Sequence, residues 1–364
     1  MFGSLILGDG KIYCAETTGN VWIFEPNADG SLKQLSRQRL GNNEEIYSSP
    51  IAAYGRIYFA SFDAMYCIGQ ADSQPSSDPL PAKPAETPGA DDDQVAHIQV
   101  VPVESLLGAN DKVAFRVLAF NARGKSLGKV AANFELAGQG TLNEQQYQAP
   151  SSGHHAVFIT AKHGELTSTA RARVIPPLPW KFDFDDGQVP PTWIGADYRH
   201  QPFEFEGEKC LIKIQTIPKG TRSQLWMGPW NLSDYTVKAD VYSTGNEETK
   251  ADMGIVNQRY TLDLMGKNQL QIRSWTPRLE LRFAKTIPYQ WEPNQWYCLK
   301  FQSETTPVGV TLRGKVWKRG ESEPSQWDIE ATDATPNLHG SPGLFGNSTT
   351  SPFYIDNVEV TPND

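Results

Sequence analysis

Residues 180–187 read Trp180-Lys181-Phe182-Asp183-Phe184-Asp185-Asp186-Gly187, directly after the proline-rich break Pro176-Pro177-Leu178-Pro179. Trp180, Phe182 and Phe184 alternate with Lys181, Asp183 and Asp185, and a period of two predicts a strand with one buried face. A second alternating stretch, FYIDNVEV, occupies residues 353–360. The expectation is that these are the first and last strands of one β-sandwich, lying side by side. Everything before Trp180 then becomes smaller modules attached to it.

The chain of 364 residues is long enough for two or three domains, and 39% hydrophobic residues suffice for their cores. No apolar run approaches a membrane span, so no membrane insertion is expected. The net charge of −9 argues against nucleic acid or an anionic membrane surface as partner. Of the ten tryptophans only Trp22 precedes residue 180. An aromatic-rich, Pro/Gly-rich chain of short alternating runs reads as all-β. The opening MFGSLILGDGKIY has neither a basic n-region nor a usable apolar h-region, so no signal peptide is expected in it. Cys14, Cys67, Cys210 and Cys298 have no metal-ligand spacing. Cys210 alternates with Ile212 and Ile214, as a core residue would, whereas Cys298 shares a face with Trp296 and Lys300. Free thiols are the expectation.

Residues 1–70 contain an internal repeat. GKIYCAETTGNVWIF from Gly10 is echoed by GRIYFASFDAMYCIG from Gly55, an offset of 45 residues. Each copy reads strand, turn, strand, and the period is that of a propeller blade. With Ser48-Ser49-Pro50-Ile51 before the second copy, this segment resembles the pyrroloquinoline-quinone-type (PQQ-like) β-propeller repeat. Two blades cannot close a ring, so the resemblance implies the end of a longer propeller, a scaffold open to protein partners. PQQ itself is not expected, because a quinone site needs a complete ring with a stacking aromatic and a metal-binding carboxylate. Trp22 alternates with Val21 and Phe24 in a strand and reads as packing. Residues 71–94 form a Pro-rich linker with an acidic run and a single large apolar residue, Leu80.

Residues 95–175 predict a small sandwich, with strands at 97–103, 112–120, 130–136, 156–162 and 168–175. Turns fall at Asn121-Ala122-Arg123-Gly124 and Gly138-Gln139-Gly140. The order of VAFRVLAFNARGK, GTLNEQQYQAP, GHHAVFITA and TARARVIP resembles bacterial immunoglobulin-like domains, which serve as spacers. His154, His155 and His163 read as surface residues.

Residues 180–364 predict strands at 210–216, 223–227, 235–242, 253–256, 260–264, 270–275, 279–283, 296–302, 308–317 and 353–360, enough for two packed sheets. FDFDDG, DYTVKADVYS, MGIVNQRYTLDL, NQWYCLKF, SPGLFG and YIDNVEV, in that order, resemble concanavalin A-like (laminin G-type) jelly rolls. That superfamily includes lectins, sugar-binding modules and some glycosidases. The whole fold is therefore expected to be all-β: incomplete propeller blades, an immunoglobulin-like sandwich and a jelly roll.

Three kinds of chemistry bear on function. Catalysis on a jelly roll needs closely spaced acids on one strand, but no E-x-D-x-E occurs. Glu280 stands alone, and Glu204 and Glu206 alternate without a further partner. No G-x-S-x-G is present, and the histidines are scattered. Sugar binding needs aromatics beside planar hydrogen-bonding groups. Arg259, Tyr260, Arg273 and Trp275, with Gln258, are the residues expected to face outward in that way. Trp226 and Trp230 bracket Gly228-Pro229 on a loop. For a metal, Asp356 is expected in a row with Tyr354, Val358 and Val360, where a carboxylate is costly unless paired. With Asp183, Asp185 and Asp186 brought close by strand pairing, the set would suit structural Ca²⁺; the alternative is that Asp356 accepts backbone N–H groups. The leading expectation is a non-catalytic binding or scaffold protein of the periplasm, cell surface or exterior, its jelly roll holding a polysaccharide or other glycan. A glycan-processing enzyme comes second and a fragment of a quinone-dependent dehydrogenase third.

Overall fold

The computed structural model describes residues 3–40, 45–61, 64–70, 72, 74, 93–196, 199–214, 221–275, 281–348 and 350–363. Every regular element among them is a strand, and no helix is present to cross a membrane. The chain divides into two compact units, Met1–Asp91 and Asp92–Asp364. The proposed linker falls mostly outside the described residues, as does Glu280.

The first unit holds two open antiparallel sheets. Four strands, Ile6–Gly8, Lys11–Ala15, Asn20–Pro26 and Leu32–Arg39, form a meander, and Ile51–Ala53, Arg56–Ala60 and Met65–Ile68 form the second sheet. The repeat in sequence is also a repeat in register. Ile6 pairs Tyr13 as Ile51 pairs Tyr58, each pair displaced by the same interval. Both hairpins turn on two left-handed residues, Asp9-Gly10 (φ 49° and 66°) and Tyr54-Gly55 (φ 54° and 68°). Two successive positive φ values define the turn whose twist matches a two-residue hairpin. The core is small (Ala15, Val21, Ile46, Ile57 and Phe59).

The second unit begins with short sheets around one core that includes Val100, Phe115, Val117, Tyr147, Val157, Ile159 and Ala172. The predicted run 112–120 is two strands, Lys112–Ala114 and Arg116–Phe120, separated at the buried Phe115. Strand Glu104–Leu107, missed in the sequence, pairs in parallel with Leu166–Val174. His154 corrects the surface reading. It is half-buried edge-on against Trp180 (5.2 Å) and Phe182 (5.0 Å), and its Nδ1 lies 3.0 Å from Thr192 Oγ1. Burial, with His155 adjacent, pushes its pKa down to about 4. The histidine therefore joins the small module to the start of the large sandwich.

The large sandwich packs an eight-stranded sheet on a six-stranded one. The first and last strands meet as expected: Trp180 pairs Val360 and Phe182 pairs Val358. The first is short, Trp180–Phe182, because Phe184 takes φ 56° and turns the chain. Inward residues of the larger sheet, such as Val237, Val241, Leu299, Phe301 and Ile355, meet Leu225, Ile255, Leu262, Leu264 and Ile272 of the smaller. Fully burying side chains of this size contributes about 1.5–3 kcal/mol each. Strands His200–Phe205, Ile329–Asp333 and Gly343–Asn347 complete the sheets.

Register corrects the face assigned to Asp356. Opposite Lys238 and Asp240 stand Glu359 and Asp356, so strand Phe353–Pro362 carries an extra residue, and Asn357 there has φ 47°. Such a bulge reverses side-chain parity. Phe353, Ile355, Val358 and Val360 all enter the main core, while Asp356 keeps the outer face with Tyr354 and leaves the row of valines. Cys210 likewise packs with Tyr242 and Tyr354 rather than in the main core, and Cys298 bonds Asp240 across strands. The two thiols are thus on the same outer face, not on opposite ones; none of the four cysteines is in a disulfide.

Candidate functional site

Alternation assigns the outer face of the six-stranded sheet. With Leu225, Met253, Ile255, Leu262, Leu264, Ile272 and Leu344 directed inward, the residues between them are directed outward: Gln224, Asp252, Gly254, Asp263, Gln271, Arg273 and Phe345. Register sets Gln224, Phe345, Gly254, Asp263 and Gln271 side by side across five strands. Gly254 opens this row. A Cβ there would lie 2.7 Å from Leu262 O and 3.3 Å from Phe345 Cδ1.

Arg273 lies along the face with its guanidinium 4.7 Å from the Phe345 ring centre and 5.9 Å from that of Trp275. Its Nη1 donates to the Asp263 carboxylate and to Gln271 Oε1 at 3.0 Å. Asp263 is fully buried, and burial pushes its pKa up to about 7 although Arg273 pulls the other way. Two buried polar atoms of the pair, Asp263 Oδ1 and Arg273 Nε, have no hydrogen-bond partner among the described residues. Trp275 follows a register shift after Ser274 and remains 38% exposed. Arg222, exposed on the first strand of this sheet, holds its guanidinium 5.8 Å from the Trp275 ring centre.

The outer face of the eight-stranded sheet carries the same residue kinds in a different state. Arg319 bridges Glu208 (2.8 Å), Asp240 (3.4 Å) and Asp356 (3.7 Å) and lies 5.0 Å over Trp296. Asn357 Nδ2 donates to both Asp240 Oδ2 and Asp356 Oδ2, and Asp356 Oδ1 accepts the Asn357 N–H. Burial pushes Asp356 up to about 6. Phe205 stacks on Tyr354 at 4.1 Å and meets Tyr242 at 4.9 Å.

Of the four acids considered for Ca²⁺, Asp183, Asp185 and Asp356 border one groove, together with Lys181, Lys209 and Arg319. Asp186 instead caps Gln188 N–H at 2.9 Å. Among the described residues no three His, Cys, Asp or Glu side chains converge as a metal site.

The structure brings Arg273 and Trp275 together and separates them from Arg259 and Tyr260. Arg259 sits exposed at a hairpin tip with φ 68°. Tyr260 corrects its outward assignment: it is fully buried, and its hydroxyl donates to Asp333 Oδ2 at 2.7 Å and accepts the Asn337 N–H at 2.8 Å. Gln258 is buried too, donating to Asn337 O and accepting from Asp234 N–H and Ser303. Sequence reasoning missed Arg222, Asp263 and Phe345. Asp263 alternates with Leu262 and Leu264, a signal that was present; Arg222 and Phe345 needed the register. Trp226 ends a strand, and Trp230 beyond it is 74% exposed.

No family profile and no curated protein matches the sequence. Among solved structures the chain is similar to a carbohydrate-binding module from Bacillus subtilis, with 14% identity over 47% of this chain and 95% of that one, TM-score 0.35. A bifunctional GH43-CE protein from Bacteroides eggerthii shares 10% identity over 99% of this chain and 48% of that one, TM-score 0.36. Lectin I from Ulex europaeus, solved with a methyl glycoside of α-L-fucose, shares 7% identity over 50% of this chain and 96% of that one, TM-score 0.33. Similarity at this level brings neither a ligand nor an activity to this chain.

Proposed function

We propose that the protein is a non-catalytic glycan-binding protein of the cell envelope or exterior, and that the outer face of the six-stranded sheet is its contact surface. The observation that carries this reading is Trp275, an exposed indole flanked by the guanidinium groups of Arg222 and Arg273. The apolar C–H face of a sugar ring packs on an indole, and its hydroxyls accept hydrogen bonds from planar donors at the rim. An aromatic contact adds only about 0.5–1.5 kcal/mol beyond area burial. Affinities on the order of 10 µM to 1 mM are therefore expected. Among the described residues the acids on this face are already engaged: Asp263 with Arg273, and Asp252 with Gly266 N–H and Asn347. They are poorly placed to act as an acid–base pair.

Titration calorimetry of the whole chain against a panel of oligosaccharides, followed by product analysis, tests the reading. Trp275→Ala should weaken any binding about tenfold or more, with no sugar released. Release of sugar would replace the reading with an enzyme, and binding indifferent to Trp275 would remove this face from it.

A further inference from the structure

The charges around Trp275 narrow the kind of sugar, on the premise that this face binds one. Arg273, Arg282, Arg313 and Arg319 of the large sandwich each hold a carboxylate of the chain: Asp263, Asp333, Glu304 with Glu330, and Glu208 respectively. The Arg222 side chain forms no ion pair or hydrogen bond among the described residues. It is nevertheless held beside the indole, by a ring contact at 5.8 Å. Its cross-strand neighbour is Asn347, whose amide is turned to Asp252 Oδ2 at 3.0 Å, so the adjacent acid is already engaged. The result is an exposed guanidinium 5.8 Å from the centre of an exposed indole, on a chain whose net charge is −9.

We propose that the sugar taken by this face carries a carboxylate, as a uronic acid does, and that Arg222 receives it. A pyranose ring lying on Trp275 places its exocyclic substituent at the rim, within reach of a flexible arginine. The planar fork of the guanidinium matches a carboxylate with two parallel N–H···O bonds, a geometry neither a hydroxymethyl group nor a lysine reproduces. Arg273 is committed to the chain through Nη1, which donates to Asp263 and to Gln271, whereas the Arg222 side chain has no such bond among the described residues. The overall negative charge of the chain disfavours densely charged polyanions. Recognition is therefore of single uronate residues within a glycan.

The test is titration of the whole chain with a glucuronate-containing oligosaccharide, its carboxyl-reduced counterpart and a sulfated neutral counterpart. The acid should bind at least tenfold tighter than the reduced sugar. Arg222→Gln should close that gap while Arg222→Lys restores only part of it, and Trp275→Ala should weaken acid and reduced forms alike. Thermal melts of each variant, matching the parent within a degree or two, ensure that binding is being read. Equal binding of acid and reduced sugars, still sensitive to Trp275, would overturn the carboxylate while leaving the glycan-binding face standing. Preference for the sulfated form would also overturn it. Failure of every sugar to bind would overturn both.

Discussion

The two outer faces of the large sandwich use the same side chains to opposite ends. On the eight-stranded sheet, Arg319, Glu208, Asp240, Asp356, Asn357 and Cys298 satisfy one another, and Phe205, Tyr242, Tyr354 and Trp296 pack ring against ring. On the six-stranded sheet, the Arg222 guanidinium and the Trp275 indole stay open, and two atoms of a buried ion pair have no hydrogen-bond partner among the described residues. Buried polar groups normally find partners within the chain. Composition alone does not separate a structural network from a receptor; what separates them is whether the chain supplies the partners itself.

The largest difference should appear when one member of each charge network is removed. Asp263→Leu leaves the Arg273 guanidinium buried without its counter-ion and should cost about 3–5 kcal/mol of stability. Arg319 is partly exposed, so solvent screens the acids it leaves behind, and Arg319→Met should cost roughly 1–2 kcal/mol, less than the buried case. Denaturant melts of both variants measure this, and equal losses would break the comparison.

The pH dependence sharpens it. Burial raises the Asp263 pKa from 3.8 to about 7. Its contribution is therefore fully present below about pH 4 and is lost as pH rises through about 7. His200 works in the other direction. It is buried, with neither ring nitrogen partnered among the described residues, and burial beside Lys213 and Arg199 lowers it from 6.5 to about 4. Its contribution is present above about pH 6.5 and is lost as pH falls through about 4. Melting temperatures between pH 4 and 8 should show a smaller decline toward high pH in Asp263→Asn and a smaller decline toward low pH in His200→Phe. Profiles parallel to the parent would contradict both assignments.

How far the sequence could be read depended on where backbone irregularities fall. Pairing of Trp180–Phe182 with the last strand was legible because both alternate without interruption up to the contact. The side of Asp356 was not, because the extra residue at Asn357 reverses the parity that alternation assumes. Grouping Tyr260 outward with Arg259 fails because the tight turn at Gln258-Arg259 ends just before it, and Tyr260, Leu262 and Leu264 form one inward row. That row could have been read from Tyr-x-Leu-x-Leu. Arg222 and Phe345 could not, because they reach Trp275 and Arg273 only through strand order, and strand order is set by the packing of distant segments.

The smallest effect concerns metal. In the groove of Asp183, Asp185 and Asp356 the neighbouring cations are Lys181, Lys209 and Arg319. Chelator should accordingly leave the melting temperature of the whole chain unchanged within about 1 °C. A fall of several degrees, restored by Ca²⁺, would show that the groove holds an ion and is a receptor after all.

The most direct measurement compares one tryptophan from each outer face in one assay. Trp275 belongs to the open face and Trp296 to the self-satisfied one. Binding isotherms of a glucuronate-containing oligosaccharide should weaken about tenfold or more in Trp275→Ala and stay within about twofold in Trp296→Ala. The reverse order, with both variants folded, would contradict the assignment of the six-stranded face as the receptor.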